Sequence, residues 1–199
     1  MTPPPSQPDL RRTVLAAVRA IPPAERAARS RRIAAHLGEL LPGLIGGTRD
    51  PLVLSFCPMP DEPDLAGPFA AASACGARLA FPRIAEGGAG RMEFFAAGSW
   101  QGFLQRRKPA IREPDPAAHP RVDPALAAAV LVPGVAFDPG NGMRLGRGGG
   151  FYDRLLAAIE PAVPRIGIAF GAQIVPDLPH RAHDCRVGWI VTEGGIMAA

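Results

Sequence analysis

Lysine is almost missing from this chain: Lys108 is the one lysine against twenty-one arginines, which reads as a compositional habit rather than a site. Aromatic residues make up only 6% of the sequence, too few for an obvious base-stacking platform, and the basic residues are scattered. Local concentrations at Arg29, Arg31 and Arg32 and at Arg106, Arg107 and Lys108 are read as solvated helix faces or loops, so the net charge of +4 does not mark a nucleic-acid binder. The three cysteines, Cys57, Cys75 and Cys185, lack any paired metal-ligand spacing, and a reduced cytoplasmic protein is the simplest expectation. The longest apolar run, from Ala125 to Val132, stops at Pro133 and is too short to cross a bilayer, so no membrane partner is expected. Met1 to Pro8 is proline-rich without an apolar segment, which predicts a disordered tail rather than a targeting signal. There is no internal repeat. Neither common nucleotide loop is present either: G-x-x-x-x-G-K-[ST] is absent, and a G-x-G-x-x-G count begun at Gly146 fails at Phe151.

What the chain does have is enough apolar residue, 47% of 199, to bury a sizeable core in one domain spanning residues 9–199. Leu10, Val14, Val18 and Ile21 recur at near-helical spacing behind a candidate Asp9 cap, and Pro22-Pro23 separates them from a second helix predicted over Ala24 to Leu41. Strands are predicted at Leu52–Phe56, Ala77–Phe81, Met92–Phe95, Ala129–Val132, Arg165–Phe170 and Val187–Thr192, with a short helix near Phe69–Cys75. This alternation predicts an α/β fold: a mainly parallel sheet flanked by helices on both faces. The irregular stretch from Gly87 to Pro124 is read as a possible flap or lid.

The densest chemistry lies in residues 144–154, Arg-Leu-Gly-Arg-Gly-Gly-Gly-Phe-Tyr-Asp-Arg. Gly146, Gly148, Gly149 and Gly150 lack a Cβ, so their backbone can aim successive N–H groups into a concavity that suits an anion. Leu155, Leu156 and Ile159 predict a helix directly afterwards, whose positive end would face the same place. Arg144, Arg147 and Arg154 add guanidinium groups able to fork onto phosphate oxygens. On spacing alone, a flexible glycine turn between strand and helix remains the alternative. The strand ending at Pro133-Gly134 would deliver its C-terminal end to this site, where ligands bind in open α/β sheets.

These residues resemble a known family. Val132 to Asp138, followed by Gly142 to Gly146 and on through Asp153-Arg154, is similar to the signature of 5-formyltetrahydrofolate cyclo-ligases, also called methenyltetrahydrofolate synthetases. Phe56 to Glu62, Phe81-Pro82-Arg83, Trp100 with Glu113-Pro114, and Gln173, Leu178-Pro179 and His183-Asp184 resemble further segments of that family in the same order, covering roughly Leu10 to Glu193. The resemblance implies ATP- and Mg²⁺-dependent closure of 5-formyltetrahydrofolate to 5,10-methenyltetrahydrofolate, with reduced folate and ATP as small-molecule partners and a monomer expected. It implies that the formyl oxygen is phosphorylated, that N10 then attacks the activated carbon, and that phosphate leaves.

The same resemblance assigns roles. ATP would be held by Arg144, Leu145, Gly146, Arg147, Gly148, Gly149, Gly150, Phe151 and Tyr152, with Arg147 also catalytic and Arg11, beside the family's lysine position, counted with the ATP-binding residues. Folate would contact Cys57, Glu62 and residues 147–151, with Glu62 accepting from pterin N–H donors. Asp153 and Asp184 would hold Mg²⁺, which prefers hard oxygen ligands. Read without the family, Asp153 is a first-turn acid at a helix start, Asp184 a surface turn and Glu62 a solvated acid. His36, His119 and His180 receive no role. Gln7 departs from the family, which commonly has lysine there; Arg11 and Arg12 are candidates to replace its charge, although arginine and lysine are not interchangeable at a tight phosphate site. Gly149 stands where some members carry lysine. The alternative reading is a non-catalytic folate- or nucleotide-binding relative.

Overall fold

The computed structural model describes residues 6–64, 66–85, 87, 90–105, 111–181 and 184–199. Arg106, Arg107, Lys108 and His183, singled out in the sequence, lie outside the described residues. The chain runs α1 (Gln7–Ala20), α2 (Pro23–Ile45), β1 (Leu52–Leu54), α3 (Ala66–Ala74), β2 (Arg78–Ile84), β3 (Met92–Ala96), β4 (Phe103–Gln105), β5 (Arg112–Pro114), β6 (Arg121–Val122), β7 (Ala127–Val132), β8 (Ala136–Phe137), β9 (Arg144–Leu145), α4 (Phe151–Ala158), β10 (Arg165–Ile168), β11 (Trp189–Thr192) and β12 (Gly195–Ala198).

Eight strands form one sheet in the order β12-β11-β10-β7-β1-β2-β3-β6. The central five, β11 to β2, are parallel, and antiparallel strands close both edges. Alternation along β7 explains the layers. Ala129 and Leu131 face one way, into a core with Val18, Ile33, Leu37 and Leu41 of the first two helices. Val130 and Val132 face the other, against Leu155 and Leu156 of α4. A strand buried on both faces reads as a continuous apolar run, as β7 does in the sequence. The predicted mainly parallel sheet with helices on both faces is therefore the observed one.

Several boundaries differ from the sequence reading, each for a local reason. α1 starts at Gln7, ahead of the expected Asp9 cap: Ser6 is the cap, its hydroxyl accepting from the Asp9 N–H at 3.4 Å, and Pro8 sits in the first turn, where a missing N–H costs nothing. Residues 6–8, placed in the expected tail, thus belong to the helix start. α2 continues through Pro42 to Ile45 because Leu41 and Ile45 are both buried and tertiary packing outweighs the local break. Much of the expected flap is built into the body: β3 and β6 extend the main sheet, and β4 pairs with β5 as a separate ribbon. Trp100 and Phe103 anchor that ribbon on Phe81, with ring centres 5.1 and 5.4 Å away. No helix among the described residues is long and apolar enough to cross a membrane.

Candidate active site

The C-terminal ends of β1, β2 and β7 open into a cavity of about 670 Å³, a size suited to small-molecule ligands. Phe56, Cys57, Met59 and Glu62 enter it after β1, Pro82 and Ile84 from β2, and Pro133 and Gly134 after β7. The β8–β9 hairpin, with Phe137 opposite Arg144, launches the glycine loop across the opening. Two of the loop glycines adopt left-handed backbone, Gly148 at φ +97° and Gly150 at φ +66°. Gly150 is the N-cap of α4, and a Cβ there would lie 2.8 Å from Arg154 Nη1. Glycine at that point lets the chain turn into α4 without strain and brings the helix's positive end to the cavity.

Three arginines were expected to face an anion, and the structure gives them different jobs. Arg144 is buried, with 4% of its side chain exposed; Nη2 donates to Asp153 Oδ1 at 2.5 Å, while Nε is buried with no hydrogen-bond partner among the described residues. Arg147 pairs with Asp61 and donates from Nε and Nη2 to Glu62 Oε1, both at 3.3 Å. Arg154 turns away from the cavity: it donates to the Gly90 and Gly149 carbonyls at 3.1 and 2.8 Å and lies over the Phe151 ring, bracing the loop from outside. The expectation that Arg154 forks onto phosphate is therefore corrected. Of the two candidates to replace the missing lysine, Arg11 lines the cavity and donates from Nε to the Gly146 carbonyl at 2.7 Å. Arg12 instead pairs with Asp9 and is largely exposed. Gln7 also lines the cavity, accepting from Arg11 at 3.2 Å and donating to the Pro179 carbonyl at 3.0 Å.

Electrostatics distinguishes neighbouring acids. Burial, the largest influence on Glu62, raises its pKa despite the Met59 N–H and Arg147. Burial also raises that of Asp61, but Arg147 and Arg19 together outweigh it and hold this carboxyl below its ordinary value. The Cys57 thiol and the Tyr152 hydroxyl are both pushed up, chiefly by desolvation, so neither is an anionic nucleophile at neutral pH.

The structure gathers on this one cavity Arg11, Cys57, Glu62, residues 144–153 and Asp184. It adds Ile84, Met92, Ile111 and Arg181, to which the sequence gave no role, and Glu113, whose carboxylate accepts from the Ile84 N–H at 3.1 Å. Among the described residues there is no group of three His, Cys, Asp or Glu side chains able to hold a metal ion. Asp153 is engaged by Arg144, and Asp184 Oδ2 accepts from the Arg181 N–H at 2.7 Å. Asp153 and Asp184 line the same cavity as the glycine loop, and their hard oxygen donors suit Mg²⁺, which commonly takes one or two carboxylates together with substrate phosphates.

Comparison with known proteins decides the family. A profile of the 5-formyltetrahydrofolate cyclo-ligase family matches residues 4–193. The chain belongs to the 5-formyltetrahydrofolate cyclo-ligase family. The cyclo-ligase of Mycolicibacterium smegmatis is 29% identical over 197 residues, covering 98% of both chains. That of Saccharomyces cerevisiae is 33% identical over 90 residues, covering 43% of this chain and 41% of the yeast protein. Among solved structures, the 5,10-methenyltetrahydrofolate synthetase of Aquifex aeolicus superposes with a TM-score of 0.78 at 29% identity, covering 96% of this chain and 92% of that one. The Mycoplasma pneumoniae synthetase shares the fold, with a TM-score of 0.75 at 19% identity over 95% and 99% of the two chains. In this member of the family, residues 144–150 lead into the start of α4 and line the cavity.

Proposed function

We propose that this cyclo-ligase converts 5-formyltetrahydrofolate to 5,10-methenyltetrahydrofolate, consuming ATP in the presence of Mg²⁺ and releasing ADP and phosphate. The formyl amide is resonance-stabilised and its oxygen is a poor leaving group. In the proposed sequence the formyl oxygen attacks the γ-phosphorus and ADP departs. Folate N10 then bonds to the formyl carbon and loses its proton, the C–O bond breaks, and the oxygen leaves with phosphate. Such a transfer depends on alignment and charge neutralisation more than on covalent help from the protein.

The observation that carries this reading is the Arg147–Glu62 contact at 3.3 Å, which joins the cationic glycine loop to a buried carboxylate on the opposite wall of the same cavity. Phosphate oxygens would be met by the N–H groups of residues 146–150, by the α4 N-terminus, and by Arg11 and Arg144. The buried Nε of Arg144, without a hydrogen-bond partner among the described residues, would be free to donate to such an oxygen. Glu62 would accept from pterin N–H groups, and Ile84, Met92 and Ile111 offer an apolar wall to flat rings. Arg147, between the two halves, would neutralise charge on the transferring phosphoryl group. Bound Mg²⁺ would supply further charge neutralisation, with Asp153 and Asp184 as its protein ligands. The cyclo-ligase is expected to act as a cytoplasmic monomer.

Near-ultraviolet absorbance of the methenyl product tests the reaction directly. Product should grow only when 5-formyltetrahydrofolate, ATP and Mg²⁺ are all present. Folate binding with no product under the complete conditions would favour a non-catalytic relative.

A further inference from the structure

Asp61 sits behind the cavity wall rather than on it. Its side chain is 7% exposed and does not line the cavity, yet it is held by two guanidinium groups: Arg19 Nη2, from the last turn of α1, at 2.9 Å on Oδ2, and Arg147 Nη2 on Oδ1. A buried carboxylate persists as an ion only with such partners. The position of Arg147 depends on them in turn. Its chain neighbours are Gly146 and Gly148, followed by Gly149 and Gly150, so no adjacent side chain packs against it to fix its rotamer. Its guanidinium is set by Asp61 and Glu62. Glu62 lines the cavity and is the carboxylate proposed to turn to the pterin, which leaves Asp61 as the acid that stays.

We infer that Asp61 is a positioning residue for the reaction proposed above: with Arg19 behind it, it holds the Arg147 guanidinium at the glycine loop while Glu62 serves the substrate. The inference rests on that reading of the cavity. It also gives α1 two grips on the loop, through Arg11 on the Gly146 carbonyl and through Arg19 and Asp61 on Arg147.

The test compares Asp61→Asn, Asp61→Glu and Arg19→Gln with the unaltered protein. Misplacing a catalytic group by about 1 Å costs on the order of a hundredfold in rate, so Asp61→Asn should lower kcat between about tenfold and a hundredfold while KM for folate moves little. Asp61→Glu should recover part of the loss. Arg19 is mostly exposed, so Arg19→Gln leaves the fold in place and should lower kcat in the same direction by a smaller factor; this carries the test if Asp61→Asn fails to fold. In an Arg147→Lys background, Asp61→Asn should cost clearly less than it does alone, because the residue acts through Arg147. The Arg147 guanidinium N–H signals in NMR spectra, assigned by their loss in Arg147→Lys, should be slowly exchanging in the unaltered protein and in Asp61→Glu, and averaged in Asp61→Asn. An unchanged kcat in both Asp61→Asn and Arg19→Gln, or Arg147 signals indifferent to Asp61→Asn, would overturn the inference. If the unaltered protein shows no turnover, the reaction itself fails, and the NMR comparison still decides whether Asp61 holds Arg147.

Discussion

Replacing Asp153 with Asn should damage two things at once, and they can be read separately. Arg144 is almost wholly buried, and among the described residues its one hydrogen bond to a side chain is the 2.5 Å contact to Asp153. Removing one partner of a fully buried ion pair costs about 3–5 kcal/mol because the other charge is left uncompensated. Two features of this site reduce that figure. The Asp153 side chain is 32% exposed, and Asn retains an acceptor oxygen for Arg144. A loss of about 2 kcal/mol is therefore expected, which lowers the melting temperature of a domain this size by roughly 4–8 °C. Adding Arg144→Met should return part of that stability, since the double variant no longer buries an unpaired cation. Activity responds differently: at limiting Mg²⁺ the variant's turnover should fall much further than its folded fraction, and excess Mg²⁺ should restore some of it. Thermal melts of the two single variants and the double, beside turnover across a Mg²⁺ series, provide both readouts. Unchanged melting in Asp153→Asn would refute the ion pair's energetic role, and turnover unchanged at limiting Mg²⁺ would refute the assignment of Asp153 to the metal.

Other consequences are equally direct. Burial raises the pKa of Glu62, so the folded state holds its proton to higher pH than the unfolded chain does; this group's contribution to stability should decline as pH rises above about 4.3 toward the folded-state value. Glu62→Gln should remove that decline, and urea midpoints measured across acidic pH should show a flatter profile than the unaltered protein; identical profiles would contradict the shift. Gly150→Ala puts a side chain at φ +66° and 2.8 Å from Arg154 Nη1, so a loss of about 1–2 kcal/mol is expected, seen as a lower urea midpoint. Arg11→Met should raise KM for ATP about tenfold by removing a charge-assisted contact, whereas Arg12→Met should leave it unchanged; equal effects would show that the replacement for the family lysine is misassigned.

Periodicity carried most of the fold into view in advance. Leu10, Val14 and Val18 announced α1, and the apolar run of β7 announced a strand covered on both faces, because burial at fixed spacing leaves its record in the residues themselves. The edge strands were harder. β6 has two residues and β12 follows a glycine turn, so neither offers enough alternation to register. The glycine loop was legible because glycine and arginine are informative types at close spacing. Its partners were not: Arg147 and Asp61 are 86 positions apart, and an acid in a proline-rich loop gives no sign that a distant guanidinium will meet it. The different fates of Arg144, Arg147 and Arg154, near neighbours in sequence, likewise depend on the left-handed turns at Gly148 and Gly150, which aim successive side chains in unrelated directions.

Tracing the formyl oxygen decides whether it leaves as part of phosphate. 5-Formyltetrahydrofolate carrying heavy oxygen in its formyl group would be turned over with ATP and Mg²⁺, and the released phosphate analysed by mass spectrometry. The proposed transfer requires one heavy oxygen in the phosphate for each methenyl product formed. Methenyl product accompanied by unlabelled phosphate would contradict it.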